Sequence, residues 1–206
     1  MTAAQTRTHL LDTALDLIWQ SNYNAVGVNE ICKKAGVTKG SFYHHFESKA
    51  ELFCEASDYY WEKMRGDLDG LLSPVHTPLE QLQKWINYLF EKKIGDDPDH
   101  MPGCPFFTAS QQSGCGETKI MASMQSMMNR ADKYNLALIN NLRNGGYLED
   151  NLDPEQVSRL LQHYIHGALN HARLIQDLAN IRRDLPLGVY RIIGLKAEFW
   201  PANTSL

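Results

Sequence analysis

The stretch of sequence that decides the fold is residues 28–46, which read VNEICKKAGVTKGSFYHHF. Its apolar spacing predicts a short helix over 28–35, and Gly36 ends that helix because glycine tolerates the positive φ of a tight turn. Thr38 is placed to cap a second short helix over about 39–46. Two short helices joined by a glycine-containing turn have the layout of a helix-turn-helix, whose second helix enters the major groove of DNA.

The second of these helices has an inward and an outward face. At 100° per residue, Phe42 and Phe46 share one face, which predicts that they anchor the helix against its neighbours. The opposite face carries small, aromatic and hydrogen-bonding side chains, namely Gly40, Tyr43, His44 and Glu47, flanked by Lys39 and Ser41. Tyrosine and histidine are also ordinary on the surface of a short helix, so spacing alone leaves both interpretations open.

Each residue type on the outward face has a use against a duplex. Glycine at position 40 lets the helix N-terminus approach the backbone, where free amides favour a phosphate. Hydroxyl and ammonium groups donate to phosphate oxygens, and Tyr43 can pack on a sugar or a thymine methyl. The residues predicted to contact DNA are Thr38, Lys39, Gly40, Ser41, Tyr43, His44 and Lys49, whereas His45 lies on the border of the buried face and suits either DNA contact or packing.

The rest of the chain carries helical signals and almost no strand signals. Amphipathic spacing predicts helices over 7–21, 48–72, 79–94, 105–112, 117–143, 154–181 and 187–199. A capping box, in which Ser48 caps the Glu51 amide and Glu51 reaches back to the Ser48 amide, opens one of them. Asp153 followed by Pro154 opens another. The chain is therefore predicted to be all-α, with about nine helices.

Length and composition bound the possible classes. The 206 residues carry 20 basic and 24 acidic side chains, and no apolar run approaches the ~18 residues that a bilayer span needs. The first residues lack the pattern of a secretory leader, and four cysteines without a C-x-x-C do not form a disulfide framework. We therefore expect a cytoplasmic protein without a membrane partner.

Residues 1–49 hold five basic and four acidic side chains, an excess too slight to identify a polyanionic partner.

Residues 27–52, GVNEICKKAGVTKGSFYHHFESKAEL, resemble the DNA-binding segment of the TetR family of bacterial transcriptional regulators. Members typically carry an AGV-S/T-KG-S/T-hydrophobic-Y-x-H/Y-F-x-S/N-K run. The positions that fall at those intervals are Gly36, Gly40, Tyr43, Phe46 and Lys49. The sequence departs from the pattern at Gly27, where Ser or Thr is usual, and at Asn22, where Gly is usual. The basic N-terminal arm of some members is reduced to Arg7.

The resemblance implies an obligate homodimer of all-helical subunits. It implies an N-terminal three-helix DNA-binding domain over 1–49 and a larger helical domain over 50–206 that dimerises and holds an effector. It also implies a near-palindromic double-stranded operator, a small-molecule effector and a repressor that the effector releases from DNA. On this interpretation the protein is not an enzyme.

Residues 154–181 carry a broad apolar stripe. Gly167, Ala168 and Ala172 on this helix permit close helix approach, which suits a four-helix dimer interface. The residues predicted to form the dimer interface are Val157, Leu161, Ala168, Ala172 and Ile175. The alternative is that the stripe belongs to the core of a single chain.

The predicted effector site is drawn from apolar and aromatic side chains of the middle helices. Thioethers among them suit an adaptable cavity, although ordinary core packing is the alternative for each residue. The candidates are Trp61, Met64, Trp85, Tyr88, Cys104, Phe106, Phe107, Met124, Met128, His163 and Tyr164.

Cys104 has a second possible role. It follows a loop and stands near the start of a predicted helix, where the helix dipole favours a thiolate. A Gly-Cys at this place resembles a subset of TetR regulators that respond to electrophiles or oxidants, so a cysteine-based sensor is one alternative. A more remote alternative is a helical enzyme that uses the Cys104 thiol as nucleophile and His100 as base. The ordinary interpretation is that Cys104 is a small apolar side chain buried in the core.

Metal and cofactor chemistry find little support. The spacing of His163, His166 and His171 can bring imidazoles together, but no nearby carboxylate or cysteine completes a ligand set. The sequence contains no G-x-S-x-G, H-E-x-x-H, P-loop or G-x-G-x-x-G motif. We therefore predict neither a metal nor a cofactor.

Overall fold

A computed structural model of the chain describes residues 2–20, 23–96 and 118–201. Within these ranges it contains eight α-helices and no strand, which confirms the all-α class. The helices are α1 (Ala3–Gln20), α2 (Val28–Ala35), α3 (Lys39–His45), α4 (Lys49–Leu71), α5 (Pro78–Leu89), α6 (Thr118–Asn144), α7 (Pro154–Ile175) and α8 (Leu178–Ile193). A π-helical turn, Phe90–Ile94, extends α5, and a 3-10 turn, Ala197–Phe199, follows α8. The helix predicted over 105–112 lies outside the described residues.

The chain divides into two compact units. The first comprises Met1–Arg65 with Cys104–Met128, and the second comprises Gly66–Gly103 with Asn129–Leu206. Helices α4 and α6 each begin in the first unit and end in the second.

The first unit is built on apolar faces that the sequence predicts. The α1 stripe is buried, and it consists of Leu10, Leu11, Ala14, Leu15 and Ile18. Phe42 and Phe46 are also buried, at 0% and 1% exposure, so the predicted inward anchoring of α3 is confirmed. The Tyr23 and Phe53 rings meet edge to face with centroids 4.9 Å apart, which joins the segment after α1 to α4.

The helix starts show which capping predictions hold. Asp153 caps α7 by accepting from the Glu155 amide at 3.1 Å, with Pro154 in the first turn, as predicted. Ser48 accepts from the Glu51 amide at 3.1 Å, but the Glu51 carboxylate accepts from the Glu47 amide rather than from the Ser48 amide. The predicted capping box is therefore half formed, and the carboxylate satisfies an amide one residue earlier.

The pair α7–α8 forms the centre of the second unit. Leu161 and Leu169 of α7 are buried, as are Leu185 and Val189 of α8. The two helices approach closely at Gly188, because a β-carbon there would collide with the Tyr164 ring. The Tyr164 hydroxyl donates to the Asp184 carbonyl at 3.0 Å, so the ring is held where the missing side chain leaves room.

The last two helices differ from the prediction in their bounds. Helix α7 ends at Ile175 instead of near 181, because Gln176 adopts a left-handed conformation with φ 57°. Asp177 then caps α8 by accepting from the Asn180 amide at 3.0 Å. Helix α8 consequently spans Leu178–Ile193 rather than 187–199, and it tolerates Pro186 in its interior.

A buried glutamine organises the end of α4 and the loop that follows. The Nε2 atom of Gln81 lies 3.2–3.3 Å from the carbonyl oxygens of Leu72, Ser73 and His76. Its Oε1 accepts from the Asn141 amide group at 2.8 Å. These contacts tie the turn that follows α4 to α5 and α6.

Replacing this glutamine tests its role. We expect Gln81→Met to lower the free energy of unfolding by about 1–3 kcal/mol, because the side chain keeps its volume but leaves part-buried carbonyls unsatisfied. Urea denaturation followed by circular dichroism measures the change. Gln83→Met, at an exposed position of the same helix, is the control, and an equal effect of both substitutions would contradict the assignment.

None of the described helices is long and apolar enough to cross a membrane.

Candidate nucleic-acid interface

The turn between α2 and α3 has the geometry that the sequence predicts. Gly36 ends α2 with φ 66° and ψ 31°, a left-handed conformation that glycine adopts without strain. The Val37 amide donates to the Cys32 carbonyl at 3.0 Å and closes the turn. Thr38 then caps α3, since its hydroxyl oxygen accepts from the Ser41 amide at 3.1 Å. The two helices and this turn form a helix-turn-helix.

The outward face of α3 is accessible to a partner. Tyr43 is 56% exposed, whereas the adjacent Phe42 is fully buried and contacts the tyrosine ring edge to face at 5.2 Å between centroids. His44 is exposed and His45 is half-buried, with their rings 5.1 Å apart. Thr38, Lys39 and Gly40 are exposed and Ser41 is half-buried. The chain therefore presents seven of the eight predicted DNA-contacting residues on one short segment.

Gly40 is not required by the packing of the chain. Only the Thr38 hydroxyl oxygen would come near a β-carbon built there, at an ordinary contact distance of 3.7 Å. Its backbone is also regular helix, where other residues are at least as stable. The missing side chain thus leaves space on the outer side of the helix start, where a bound backbone could approach closely.

The eighth residue, Lys49, has a structural role that the sequence did not indicate. Its Nζ donates to the carbonyls of Tyr23 at 3.0 Å and Val26 at 3.2 Å, and it lies 4.1 Å from the centroid of the Tyr23 ring. The ammonium therefore ties the start of α4 to the segment that precedes α2. A phosphate contact by the same group stays a prediction, and it would share the ammonium with these carbonyls.

Other basic side chains complete the description of this surface. Lys33 and Lys34, in the last turn of α2, are exposed, and they lie next to the turn that leads into α3. The adjacent pair of lysines before Gly36 was the sequence signal for this additional charge. Arg7 instead forms an ion pair with Glu55 and lies 5.3 Å from the centroid of the Phe46 ring, so its side chain packs on the domain.

The predicted effector residues fall into both units. In the first unit, Trp61, Met64 and Met124 are buried and Met128 is half-buried. In the second, Trp85 and Tyr88 are buried, Tyr164 is half-buried and His163 is exposed. Cys104, Phe106 and Phe107, and also His100, lie outside the described residues. The effector assignment stays a prediction.

The predicted dimer residues are mostly inside one chain. Val157, Leu161 and Ala172 are 3%, 0% and 3% exposed within a single copy of the chain. Ala168 is half-buried and Ile175 is 56% exposed. An interface on α7 would therefore use Ile175 and Ala168 together with side chains that the prediction omitted, of which Leu160 and Leu174 are 48% and 79% exposed.

The histidines of α7 do not form a metal centre. No group of three or more His, Cys, Asp or Glu side chains able to hold a metal occurs among residues 2–20, 23–96 and 118–201. Burial, followed by the positive charges of Lys93 and His163, lowers the pKa of His166 to about 4. His166 is therefore a neutral imidazole at neutral pH.

A helix-turn-helix with an exposed, hydrogen-bonding second helix is the arrangement of a DNA-binding domain. The family model described as "Bacterial regulatory proteins, tetR family" matches residues 10–56, which include all three N-terminal helices from the first buried leucine of α1 onward. Residues 10–56 therefore form a DNA-binding domain of the TetR type, as the resemblance implied.

Two relatives and one solved structure are similar to this chain. The "HTH-type transcriptional regulator AcrR" of Shigella flexneri is 41% identical over 100 residues, which are 46% of this chain and 45% of the relative. The "HTH-type transcriptional repressor NemR" of Escherichia coli K12 is 48% identical over 48 residues, 23% of this chain and 24% of the relative. The crystal structure of reduced E. coli NemR superposes with a TM-score of 0.82 at 22% identity, over 94% of this chain and 99% of that one.

The similarity in sequence and the similarity in structure cover different shares of the chain. The chain spans less than half the length of these curated relatives. The similarity to the solved structure extends over both units but, at 22% identity, it shows the fold alone.

Two lysines separate DNA contact from domain stability. We expect Lys39→Met, at an exposed position, to weaken operator binding about tenfold or more while leaving the melting temperature unchanged, since it removes only a phosphate donor. We expect Lys49→Met to lower the melting temperature by several degrees, because two carbonyls lose their donor. Thermal denaturation and fluorescence anisotropy on the same samples measure both effects. A stable Lys49→Met protein would contradict the structural role of Lys49.

Proposed function

We propose that this protein is a homodimeric repressor whose two α3 helices bind a near-palindromic DNA operator and which a small-molecule effector releases. The observation that carries the proposal is the α3 segment, where buried Phe42 and Phe46 fix the helix and Tyr43, His44 and Lys39 face outward. Thr38, Ser41, His45 and Gly40 complete the surface on the same turn of chain. The match of residues 10–56 to the TetR family model supports the same interpretation.

The DNA-binding step follows from the geometry of α3. A helix of seven residues fits one major groove, with its N-terminal end near the backbone and its exposed side chains along base edges. The hydroxyl and ammonium donors set the register on the phosphates, while Tyr43 and His44 reach the bases. In a dimer, the separation of the two α3 helices fixes the spacing between half-sites.

A second copy of the chain is the proposed partner of α7. Leu160, Leu174 and Ile175 expose apolar side chains along this helix, and Gly167 leaves open space on its surface. Burial of such side chains against the same surface of another copy is favourable at roughly 25 cal/mol per Å². The predicted interface residues Val157, Leu161 and Ala172 would then support it from beneath.

Release by an effector requires a difference in affinity between two states of the dimer. An effector bound in the larger domain shifts the equilibrium away from the DNA-binding arrangement only if it binds the other arrangement more tightly.

We place the functional division at 1–49 for DNA binding and 50–206 for effector binding and dimerisation. We further propose that the protein acts in the cytoplasm, where bacterial DNA lies, and that it has no enzymatic activity; the names of its relatives as regulators support this.

The experiment that tests the proposal is selection of genomic fragments by the purified protein. We expect retention of specific fragments that decreases steeply between about 50 and 200 mM salt, because released counterions drive binding. A footprint on a retained fragment then gives the half-site spacing. Absence of any sequence-selective, salt-sensitive retention, with or without candidate effectors, would refute the proposal.

Tyr43 provides the sharpest single substitution. We expect Tyr43→Ala to weaken operator binding by about ten- to a hundredfold without changing stability, since the side chain is 56% exposed and its ring contacts the adjacent Phe42 ring at its edge. Val75→Ala, at an 80% exposed position outside the proposed DNA-binding domain, is the control. Unchanged affinity of Tyr43→Ala in an anisotropy titration would exclude this face of α3 as the reading surface.

Cys104 is testable although it lies outside the described residues. We expect Cys104→Ser to leave operator binding intact, because the predicted DNA contacts do not include it. The sensor alternative predicts that a mild electrophile releases the wild-type protein from its operator and does not release Cys104→Ser. Equal release of both proteins would remove that alternative.

A further inference from the structure

Two ion pairs join α1 to the first half of α4. Arg7 of α1 pairs with Glu55 of α4. Further along α1, the Asp12 carboxylate accepts from the Lys63 ammonium at 3.0 Å. Glu55 and Lys63 stand about two turns apart in α4, and both contact α1. The two pairs therefore fix the first half of α4 to α1 at two separate points.

Tyr59 strengthens the second of these points. It stands one helical turn from Glu55 and one from Lys63, on the same side of α4. The centroid of its ring lies 4.2 Å from the Lys63 ammonium, and its hydroxyl donates to the Asp12 carboxylate at 3.5 Å. One oxygen of Asp12 therefore faces the lysine and the other faces the tyrosine. We call Arg7, Asp12, Glu55, Tyr59 and Lys63 the α1–α4 polar cluster.

The polar cluster also contacts the helix that carries the predicted DNA contacts. The guanidinium carbon of Arg7 lies 5.3 Å from the centroid of the Phe46 ring. Phe46 ends α3 and is 1% exposed, and with Phe42 it anchors that helix. Arg7 therefore contacts the anchor of α3 and the side of α4 at the same time. A change in the position of α4 on α1 would reach α3 through this side chain.

The exposure of the paired side chains favours a role in orientation rather than in stability. In the two ion pairs the side chains are between 31% and 55% exposed, and pairs at such positions contribute little to the free energy of folding. Burial of apolar side chains, such as Leu10, Leu11 and Phe53, is the larger contribution, but apolar burial is not directional. Ion pairs and hydrogen bonds depend on geometry, so they set the direction in which the packed helices lie.

We propose that the α1–α4 polar cluster positions α3 for operator binding. Its members are positioning residues, and they extend the body that orients α3 to Lys63, beyond the division at residue 49 that bounds the predicted DNA contacts. All five side chains and α3 lie in the first of the two compact units. This inference rests on the proposed function, because it names residues that act on operator binding through α3.

Asp12→Asn separates positioning from charge. Removing a negative charge from a DNA-binding domain by itself strengthens binding to a polyanion, whereas loss of the positioning contact weakens binding. On an operator fragment obtained by the genomic selection, we expect about three- to tenfold weaker binding, since each copy in a dimer loses the contact. Asp16→Asn, at an exposed position of the same helix, removes the same charge and should bind within about twofold of wild type or more tightly.

Two further measurements separate positioning from a loss of folding. Binding of Asp12→Asn to a random-sequence duplex should equal or exceed that of wild type, because this binding depends on charge, whereas an unfolded domain would lose both kinds of binding. Exchanging the charges, in Asp12→Lys combined with Lys63→Asp, should recover most of the lost operator affinity, because the ion pair forms again with its signs reversed. Fluorescence anisotropy measures all of these affinities.

Amide hydrogen exchange tests the same inference without DNA. Glu55→Gln removes the charge that holds Arg7 on α4, so we expect exchange in residues 39–46 to become about threefold faster or more in the full-length protein. Glu62→Gln is the matched control, because Glu62 pairs with Arg65 inside α4 and not with α1. It should leave exchange in residues 39–46 unchanged.

The outcomes distinguish this inference from the proposed function. If the wild-type protein retains no sequence-specific fragment, the repressor assignment fails, and hydrogen exchange alone decides whether the polar cluster holds α3. Asp12→Asn that binds the operator as tightly as Asp16→Asn does, charge exchange that recovers no affinity, or unchanged exchange of α3 in Glu55→Gln would each overturn the positioning role.

Discussion

The burial of two phenylalanines is the constraint on which the DNA-binding surface depends. Helix α3 has seven residues, too few to be stable in isolation, so its position comes from packing. Phe42 and Phe46 are 0% and 1% exposed, and each contributes about 1.5–3 kcal/mol through burial. Thr38 fixes the start of the helix by its cap, and the exposed side chains take their direction from the two buried rings. The surface is thus a consequence of the core beneath it.

The sequence predicted those parts of the fold that depend on local signals. The α1 stripe, the Gly36 turn and the caps at Thr38 and Asp153 are encoded within a few residues, and the structure contains all of them. The predicted boundary between α7 and α8 was wrong in position, because the apolar spacing of the sequence continues through the observed boundary. Its cause is the left-handed Gln176 followed by the Asp177 cap, a change of backbone that a helical pattern does not reveal.

The candidate sites show the same division between local and distant information. The outward face of α3 follows from periodicity, so its members could be named from the sequence. Lys49 contacts the carbonyls of Tyr23 and Val26, which lie more than twenty residues earlier in the chain. No local sequence pattern indicates such a contact. Lys93 is likewise buried at 8% exposure, whereas the sequence alone favours a surface position for a lysine.

Gly188 limits how the α7–α8 pair can move. The Tyr164 ring fills the space that a side chain at position 188 would take, and its hydroxyl is anchored to the Asp184 carbonyl. If one helix slid along the other by a single residue, the ring would meet a side chain instead of that gap. Shape therefore opposes a shear between the two helices and favours a rearrangement in which both move together.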